Sequence, residues 1–450
     1  MNRDDKVKAI QSVSPSFCLA KWLQVTIDLA HGTNHSCHHP ARHKIPLEEI
    51  AQDPSALHNT LFKKARRQEM LAGIRPSECE YCWKIEDAKG THYSDRLVKS
   101  LDDWAFPYLE KIKTMPPSLS LNPTYVEVMF DKACHFSCSY CMADISSKIE
   151  AEMSEFGPYP MKNNSHRLLT EKTKWKTPDD NPYIQAFWKW FPDLIKDLKV
   201  FRITGGEPLL SKNTFKFIDK LADYSKPDLT LAINSNLGVS REILQNFCLK
   251  MEGLKTQGKI GAFELYTSVD TYGAQAEFIR AGLNFDHYLE NLEFFCQQDS
   301  VSRVILMGTF SLLSIPNFHL LLKKVYELKQ IYPKLILDLS YLKEPEYLRA
   351  NLANQQLKEK LNEDLQLMQS LHEKKTGKGF SDHEINKFKR ICHWVYENVD
   401  NDYLMTHKGD FSIFVDEYSR RKGFDFHQVF PELQSFYAEA RKMALFNSKI

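Results

Sequence analysis

The middle of the chain, from Tyr125 to about Leu342, alternates short apolar runs with longer amphipathic segments. Six of the runs are rich in β-branched residues and have the length of strands: 124–131, 200–204, 229–234, 263–270, 303–310 and 335–342. Between them, segments such as 213–225, 240–254 and 288–298 repeat apolar residues three and four positions apart, as helices do. The alternation predicts about six βα units, and so an α/β fold built on a parallel sheet.

The regions on either side have different patterns. Residues 1–118 hold cysteines, many histidines and few strand-like alternations, which predicts a small, loop-rich module held by a metal. Residues 145–182 are charged and Pro-rich and are predicted to be an insertion. We expect three parts, at 1–118, 119–345 and 346–450.

The last of these parts has a helical pattern. Its apolar residues form one stripe, which predicts core packing: Leu357, Leu361, Leu365, Met368 and Leu371. Ser381 with Glu384 predicts a capping box at the start of a further helix.

Composition narrows the class of protein. The chain has 450 residues, and its 59 Lys and Arg nearly balance its 58 Asp and Glu, so no overall charge favours nucleic acid as a partner. We expect neither a signal peptide nor a membrane partner, since no apolar run approaches roughly 18 residues. A cytoplasmic location is therefore expected, where ten cysteines serve metal binding or catalysis rather than disulfides.

Three cysteines follow the first predicted strand in the spacing C-x3-C-x2-C: Cys134, Cys138 and Cys141. Three neighbouring thiolates suit an iron–sulfur cluster, and a four-iron cluster with three protein ligands keeps one iron open. Two alternatives remain: a zinc site that uses His135 as a fourth ligand, or three unrelated core cysteines.

Polar residues and glycines follow the next three predicted strands, at the edge where active sites of parallel barrels gather. They are Gly205, Gly206 and Glu207, then Asn234, then Ser268 and Asp270. Each motif alone is weak, because a Gly-Gly-Glu-Pro sequence can be an ordinary turn and an Asp after a strand can cap a helix.

Together, the cysteine triplet with Tyr140 before its last member, the GGEP motif and the SVD motif resemble the radical S-adenosylmethionine (SAM) superfamily over residues 120–345. The resemblance implies a partial (β/α)6 TIM-like barrel whose 4Fe-4S cluster binds the methionine part of SAM. By the same resemblance, Tyr140 lies near the adenine, and the remaining residues contact SAM: Gly205, Gly206 and Glu207 at the ammonium, Ser268 and Asp270 at the ribose, and Asn234 at the barrel mouth.

The resemblance also implies the chemistry. Reductive cleavage of SAM gives a 5'-deoxyadenosyl radical that abstracts a substrate hydrogen. An external one-electron reductant such as a flavodoxin or ferredoxin is the expected partner. Cys392, in the helical tail, is a further candidate that can donate a hydrogen atom to a substrate radical, whereas Cys248 and Cys296 are expected core residues.

The N-terminal cysteines form a second set. The spacing Cys18-x13-Gly32-x4-Cys37 resembles the start of SPASM and twitch domains, and Cys79 with Cys82 supplies two more ligands. The resemblance implies an auxiliary 4Fe-4S cluster, with zinc as the alternative. The module departs from the SPASM pattern because it precedes the barrel and lacks the later cysteines. The nearby His35, His38 and His39 are expected loop residues.

The motifs do not identify the substrate. Because auxiliary modules accompany peptide maturation among relatives, modification of a ribosomally made peptide is the first hypothesis. Dehydrogenation, epimerisation or rearrangement of a sugar or nucleoside is the second. A third, from another class, is a zinc-bearing binding protein without enzymatic activity. The basic runs 63–67 and 419–422 can grip an acidic substrate or form solvated helix faces.

Overall fold

A computed structural model describes residues 1–88, 93–162, 175, 180–397 and 399–447. The chain has an α/β fold with mostly parallel strands, which confirms the predicted fold class, while closure into a barrel stays a prediction. It divides into two compact units, each built from several segments. The first unit takes residues 1–131, 173–232 and 258–261, and the second takes 132–172, 233–257 and 262–450.

The first unit combines a sheet with short helices. Its strands are β1 (Gln24–Asp28), β2 (Thr33–His35), β3 (His43–Lys44), β4 (Tyr125–Met129), β6 (Val200–Thr204) and the first part of β7 (Lys226–Ser235). Its helices are α1 (Arg3–Gln11), α2 (Ala20–Leu23), α3 (Leu47–Gln52), α4 (Leu61–Leu71), α5 (Glu80–Asp87), α6 (Asp95–Ser100), α7 (Leu109–Thr114), α9 (Pro182–Leu194) and α10 (Lys212–Leu221). The strand order is β7-β6-β4-β1-β2-β3.

Strand β1 corrects the expectation for residues 1–118, which are richer in helices and strands than predicted. It pairs in parallel with β4, Val25 lying opposite Val126, and β4 pairs in parallel with β6. Val25 and Ile27 are fully buried, and the polar Gln24 and Asp28 at the two ends of the strand are buried as well. The parallel sheet therefore extends into the N-terminal region.

The second unit has three parallel strands in the order β11-β10-β8 and a small antiparallel pair, β5 with β9. Its strands are β5 (Ser137–Cys138), most of β8 (Ile260–Ser268), β9 (Arg280–Ala281), β10 (Arg303–Phe310) and β11 (Leu335–Tyr341). Its helices are α8 (Ser147–Phe156), α11 (Arg241–Thr256), α12 (Ala274–Ile279), α13 (Phe285–Gln297), α14 (Phe318–Ile331), α15 (Gln355–Ser370), α16 (Asp382–Tyr396), α17 (Asn401–Lys422), α18 (Phe426–Val429) and α19 (Gln434–Asn447).

The predicted strands and helices of the middle region are confirmed, and so are the main features of the tail. Leu357, Leu361 and Met368 of α15 are buried, and the Ser381–Glu384 capping box begins α16. The predicted insertion at 145–182 falls largely on residues 163–174 and 176–179, outside the described residues. Within the described part of the chain, no helix is long and apolar enough to cross a membrane.

Candidate functional site

The predicted cluster cysteines lie on a loop of the second unit between β4 and α8 in the chain. Cys134, Cys138 and Cys141 are all partly exposed. Cys138 belongs to β5 and lies opposite Arg280 of β9, while the N–H of Cys141 donates to the carbonyl of Cys138 at 3.1 Å. The short β5–β9 pair therefore fixes the middle of the loop and leaves its thiols accessible.

Hydrogen-bond donors point at two of the three sulfurs. The N–H of Phe136 lies 3.5 Å from Cys134 Sγ, and Nη1 of Arg280 lies 4.0 Å from Cys138 Sγ. Such donors stabilise thiolates and are a known means of tuning iron–sulfur centres. Among the described residues, no group of three or more His, Cys, Asp or Glu side chains is arranged so that it could hold a metal ion. The soft donor set and its N–H donors fit a cluster better than a hard cation.

Arg280 is the residue that sequence reasoning missed. Its Nε donates to Asp270 Oδ2 at 2.8 Å and its Nη2 to Oδ1 at 3.2 Å, in a buried ion pair. The hydroxyl of Tyr140 also donates to Asp270 Oδ2 at 3.0 Å, and the N–H of Thr309 to Oδ1 at 2.8 Å. The only sequence signal was an arginine within the otherwise apolar segment 278–283.

This network occupies the carboxylate of Asp270. Its two oxygens already accept four hydrogen bonds from protein groups, which is the usual capacity of a carboxylate. Asp270 thus holds Arg280 in position, and Ser268 is partly exposed. Contact of either residue with the ribose stays a prediction. Burial, together with the neighbouring Asp270 carboxylate, raises the pKa of Tyr140 well above its usual value, so its hydroxyl stays protonated.

Two further contacts hold the cluster loop. The hydroxyl of Tyr418, on α17, lies 2.9 Å from the carbonyl of Ser137 and 3.0 Å from that of Phe278. Gly282 has φ +108°, and a Cβ there would lie 3.0 Å from the carbonyl oxygen of His135. The C-terminal helices therefore brace the loop, and only a glycine fits at position 282.

The remaining predicted SAM contacts keep their status as predictions. Gly205 lies in the first unit with φ +125°, and a Cβ there would approach the carbonyl of Asp131 to 2.8 Å. The neighbouring Gly206 is partly exposed, whereas Glu207 is buried and accepts the N–H of Leu209 at 3.0 Å. Asn234, partly exposed, is on β7.

The four N-terminal cysteines are brought together in the first unit. Cys18, Cys37, Cys79 and Cys82 line one small cavity, which Lys21 and Arg96 also border. Burial raises the pKa of the Cys79 and Cys82 thiols to about 12 each and raises that of Cys37. A metal that binds thiolates would lower these thiol pKa values. Four thiols around one cavity bordered by cations therefore fit a four-thiolate centre.

The histidines near Cys37 have other partners. A ring nitrogen of His35 bonds to the carbonyl of Cys37, and Nε2 of His39 lies 2.6 Å from Asp95 while its ring stacks on Tyr81. His35 is the last residue of β2 and so is not the loop residue that was expected, whereas His38 and His39 lie in the loop before β3. That the three histidines are not ligands stays a prediction.

Cys392 is buried on α16, and burial, with Asp364 nearby, raises the pKa of its thiol to about 12. It therefore keeps its S–H hydrogen at neutral pH. Trp394, on the same helix, stacks on Tyr341 at the carboxyl end of β11. Hydrogen donation by Cys392 stays a prediction.

Both basic runs are partly buried. In the run 63–67, Lys63 and Arg67 are buried. In the run 419–422, Arg421 packs 4.0 Å from the centre of the Tyr159 ring, and Lys422 pairs with Glu152 at 2.5 Å. These four residues serve internal contacts, while the side chain of Arg420 is 60% exposed.

An α/β chain that carries a C-x3-C-x2-C loop resembles radical SAM proteins, and comparisons with known proteins support that class. The chain is 28% identical to the GTP 3',8-cyclase of Sulfurimonas denitrificans over 158 residues, 35% of this chain and 38% of that protein. It is 28% identical to the enzyme of Campylobacter lari and 30% to that of Campylobacter jejuni, each over 131 residues, 29% of this chain and 32% of each relative.

GTP 3',8-cyclases are radical SAM enzymes, so these matches support both the superfamily and the enzymatic nature of the chain. The chain spans about a third of the length of these relatives. No protein-family model matches it.

Proposed function

We propose that this chain is a radical SAM enzyme that acts on a nucleotide or nucleoside. The observation that carries the proposal is the loop Cys134–Cys141, where Arg280 lies 4.0 Å from Cys138 Sγ and is held by the buried Asp270. When bound there, a 4Fe-4S cluster supplies the electron that cleaves SAM and starts radical chemistry on the substrate.

The chain's own residues hold and orient the reactants. Cys134, Cys138 and Cys141 supply three thiolates, and Asp270 keeps the Arg280 guanidinium beside them. Burial opposes the charged form of Arg280, but Asp270 and Tyr140 together raise its pKa well above the usual value, so the charge is permanent. A fixed cation at this position favours anionic groups, which include the thiolates and the carboxylate of SAM.

The relatives favour a nucleotide over a peptide as substrate. Their name states that they act on GTP, and the peptide hypothesis rests on the resemblance of the N-terminal module alone. The sugar or nucleoside alternative from the sequence is therefore the closer one.

We further propose that Cys18, Cys37, Cys79 and Cys82 hold an auxiliary 4Fe-4S cluster of the SPASM or twitch kind. Their shared cavity supports this assignment. Four protein ligands leave no open iron, which suits electron transfer better than substrate binding.

The test is production of 5'-deoxyadenosine by the anaerobically reconstituted protein with SAM and a reductant, with and without GTP, other nucleotides or nucleosides. We expect a nucleotide or nucleoside to stimulate production. A variant with Cys134, Cys138 and Cys141 replaced by Ala should produce none, whereas the control Cys248→Ala with Cys296→Ala should behave as wild type, since both thiols are buried on helices α11 and α13.

Two results would count against the proposal. A reconstituted cluster that yields no 5'-deoxyadenosine would remove the radical SAM assignment. Production stimulated by a peptide and by no nucleotide or nucleoside would leave that assignment and overturn the substrate class.

A further inference from the structure

The first unit buries three cationic side chains next to the four-cysteine cavity. Lys21, Lys63 and Arg67 are 2%, 1% and 0% exposed, and Lys21 borders the cavity itself. Lys21 pairs with Glu78, whose side chain is 13% exposed. Lys63 and Arg67 come from one face of α4, because they are four residues apart.

Lys63 and Arg67 are bound to neutral groups. Nζ of Lys63 donates to the carbonyl of Gln24 at 2.8 Å and to Nδ1 of His58 at 2.9 Å. Arg67 donates through Nε to the carbonyl of Lys21 at 3.3 Å and through Nη1 to Oδ1 of Asn59 at 3.1 Å. The Arg67 guanidinium is thus joined directly to the backbone of Lys21.

His58 adds no charge to this group. Its Nδ1 lies 2.9 Å from Nζ of Lys63, and its Nε2 lies 2.8 Å from the carbonyl of Trp22 and 2.9 Å from Nη2 of Arg67. Burial, and then the charges of Lys63 and Arg67, lower the pKa of His58 well below its usual value.

The buried charges do not balance. Among the described partners of these three side chains, Glu78 alone is an anion. With all three side chains protonated, three positive charges meet one negative charge and two are left over. Other charged groups at the cavity include both signs: Arg96 pairs with Glu86 at 2.9 Å, and Asp95, which Nε2 of His39 contacts at 2.6 Å, lines the cavity together with Lys99. Uncompensated buried charge is strongly unfavourable, so an anion is expected in this region.

A thiolate metal centre supplies that anion. Four thiolates around a metal group of about two positive charges leave about two negative charges, which matches the excess. Burial beside Arg67 and Lys21 lowers the pKa of Lys63 well below its usual value, and a thiolate at Cys37 acts in the opposite direction.

We propose that Lys63 and Arg67, behind Lys21, are the buried counter-charges of the auxiliary centre and raise its reduction potential. The inference rests on the proposed function, in which the four thiols hold an iron–sulfur cluster. Reduction adds a negative charge, so cations in a region of low dielectric stabilise the reduced form, and removal of one makes reduction harder.

The test is a redox titration followed by electron paramagnetic resonance, on the full chain with Cys134, Cys138 and Cys141 replaced by Ala so that the auxiliary centre alone is observed. In this background, Lys63→Met should lower the reduction equilibrium constant about tenfold, which corresponds to about 59 mV for one electron. The matched control is Lys64→Met, one position along α4, where the Lys64 side chain is partly exposed and its Nζ contacts Ser120 at 3.1 Å.

The charge-conserving variant Lys63→Arg separates charge from packing. The proposal predicts a potential close to that of the parent for Lys63→Arg, and it is supported too if Lys63→Met fails to load iron while Lys63→Arg loads it. Equal potentials for Lys63→Met and Lys64→Met, or loss of iron in both Lys63 variants, would overturn it. A parent protein without bound iron would instead contradict the proposed auxiliary cluster itself.

Discussion

The two cysteine sites differ in how the charges around them are balanced. In the first unit, Cys18, Cys79 and Cys82 are buried beside cationic side chains that outnumber the anionic side chains paired with them. In the second unit, Cys134, Cys138 and Cys141 are partly exposed, and the cation beside them, Arg280, is fully paired with Asp270. The first site needs a bound anionic group to balance its charge, whereas the second is balanced by protein groups and keeps its thiols accessible to a ligand.

The largest expected effect is at the Arg280–Asp270 pair. Arg280→Met leaves the Asp270 carboxylate buried without a cation, which should lower the free energy of unfolding by about 3–5 kcal/mol. Arg441→Met is the control, because Arg441 pairs with Asp416 at 3.0 Å and both side chains are exposed, by 47% and 40%, so its loss should be below about 1 kcal/mol. Urea unfolding measures both. Equal losses would mean that the second site is not balanced by this pair.

The premise that buried charge without a partner is unfavourable can be tested away from both sites. Asp364 is buried on α15, and burial raises its pKa from 3.8 to about 7. A raised carboxyl pKa favours the folded protein while the group is protonated, so this contribution is present below about pH 4 and is lost as the pH rises to about 7.

Asp364→Asn should therefore stabilise the protein at about pH 8, by roughly 2–4 kcal/mol, and change little at about pH 4. The control Glu363→Gln alters the exposed neighbour and should have little effect at either pH. Thermal unfolding at the two pH values measures the gain in stability. A gain of the same size at both pH values would contradict the raised pKa of Asp364.

A smaller effect is expected where the cluster loop meets Gly282. Gly282→Ala forces a side chain into a positive φ and against the carbonyl of His135, at about 1–3 kcal/mol, and should weaken retention of iron by the triplet. In the control Gly253→Ala, nothing lies within 4 Å of the new Cβ and α11 should gain up to about 1 kcal/mol. Iron release into a chelator compares the two variants. A Gly282→Ala protein that keeps its iron as well as the control does would remove the role given to this contact.

The smallest effect concerns the brace from α17. Tyr418→Phe keeps the ring and removes the hydroxyl that contacts the carbonyls of Ser137 and Phe278, at a loss of about 1 kcal/mol. The chelator assay should show moderately faster iron loss from the triplet, and unchanged iron in the exposed control Tyr341→Phe. Identical rates would show that the hydroxyl does not brace the loop.

Local patterns predicted much of this architecture, because strand and helix periodicities and the C-x3-C-x2-C spacing are properties of short segments. Features that depend on distant contacts escaped prediction. Strand β1 pairs with β4, about a hundred residues later, and its alternation of Val25, Ile27 and Leu29 was the available signal. The ion pair of Asp270 with Arg280 and the burial of Lys63 required the folded structure, since a run of basic residues is typical of a solvated surface.

Iron and sulfide analysis combined with the assay for 5'-deoxyadenosine tests the two-cluster assignment most directly. The comparison uses the wild type and two variants. One variant has Cys134, Cys138 and Cys141 replaced by Ala, and the other has Cys18, Cys37, Cys79 and Cys82 replaced. Two 4Fe-4S clusters predict about eight irons in wild type and about four in each variant. 5'-Deoxyadenosine should form in wild type and not in the triplet variant. Zinc in place of iron, or 5'-deoxyadenosine from the triplet variant, would contradict the account.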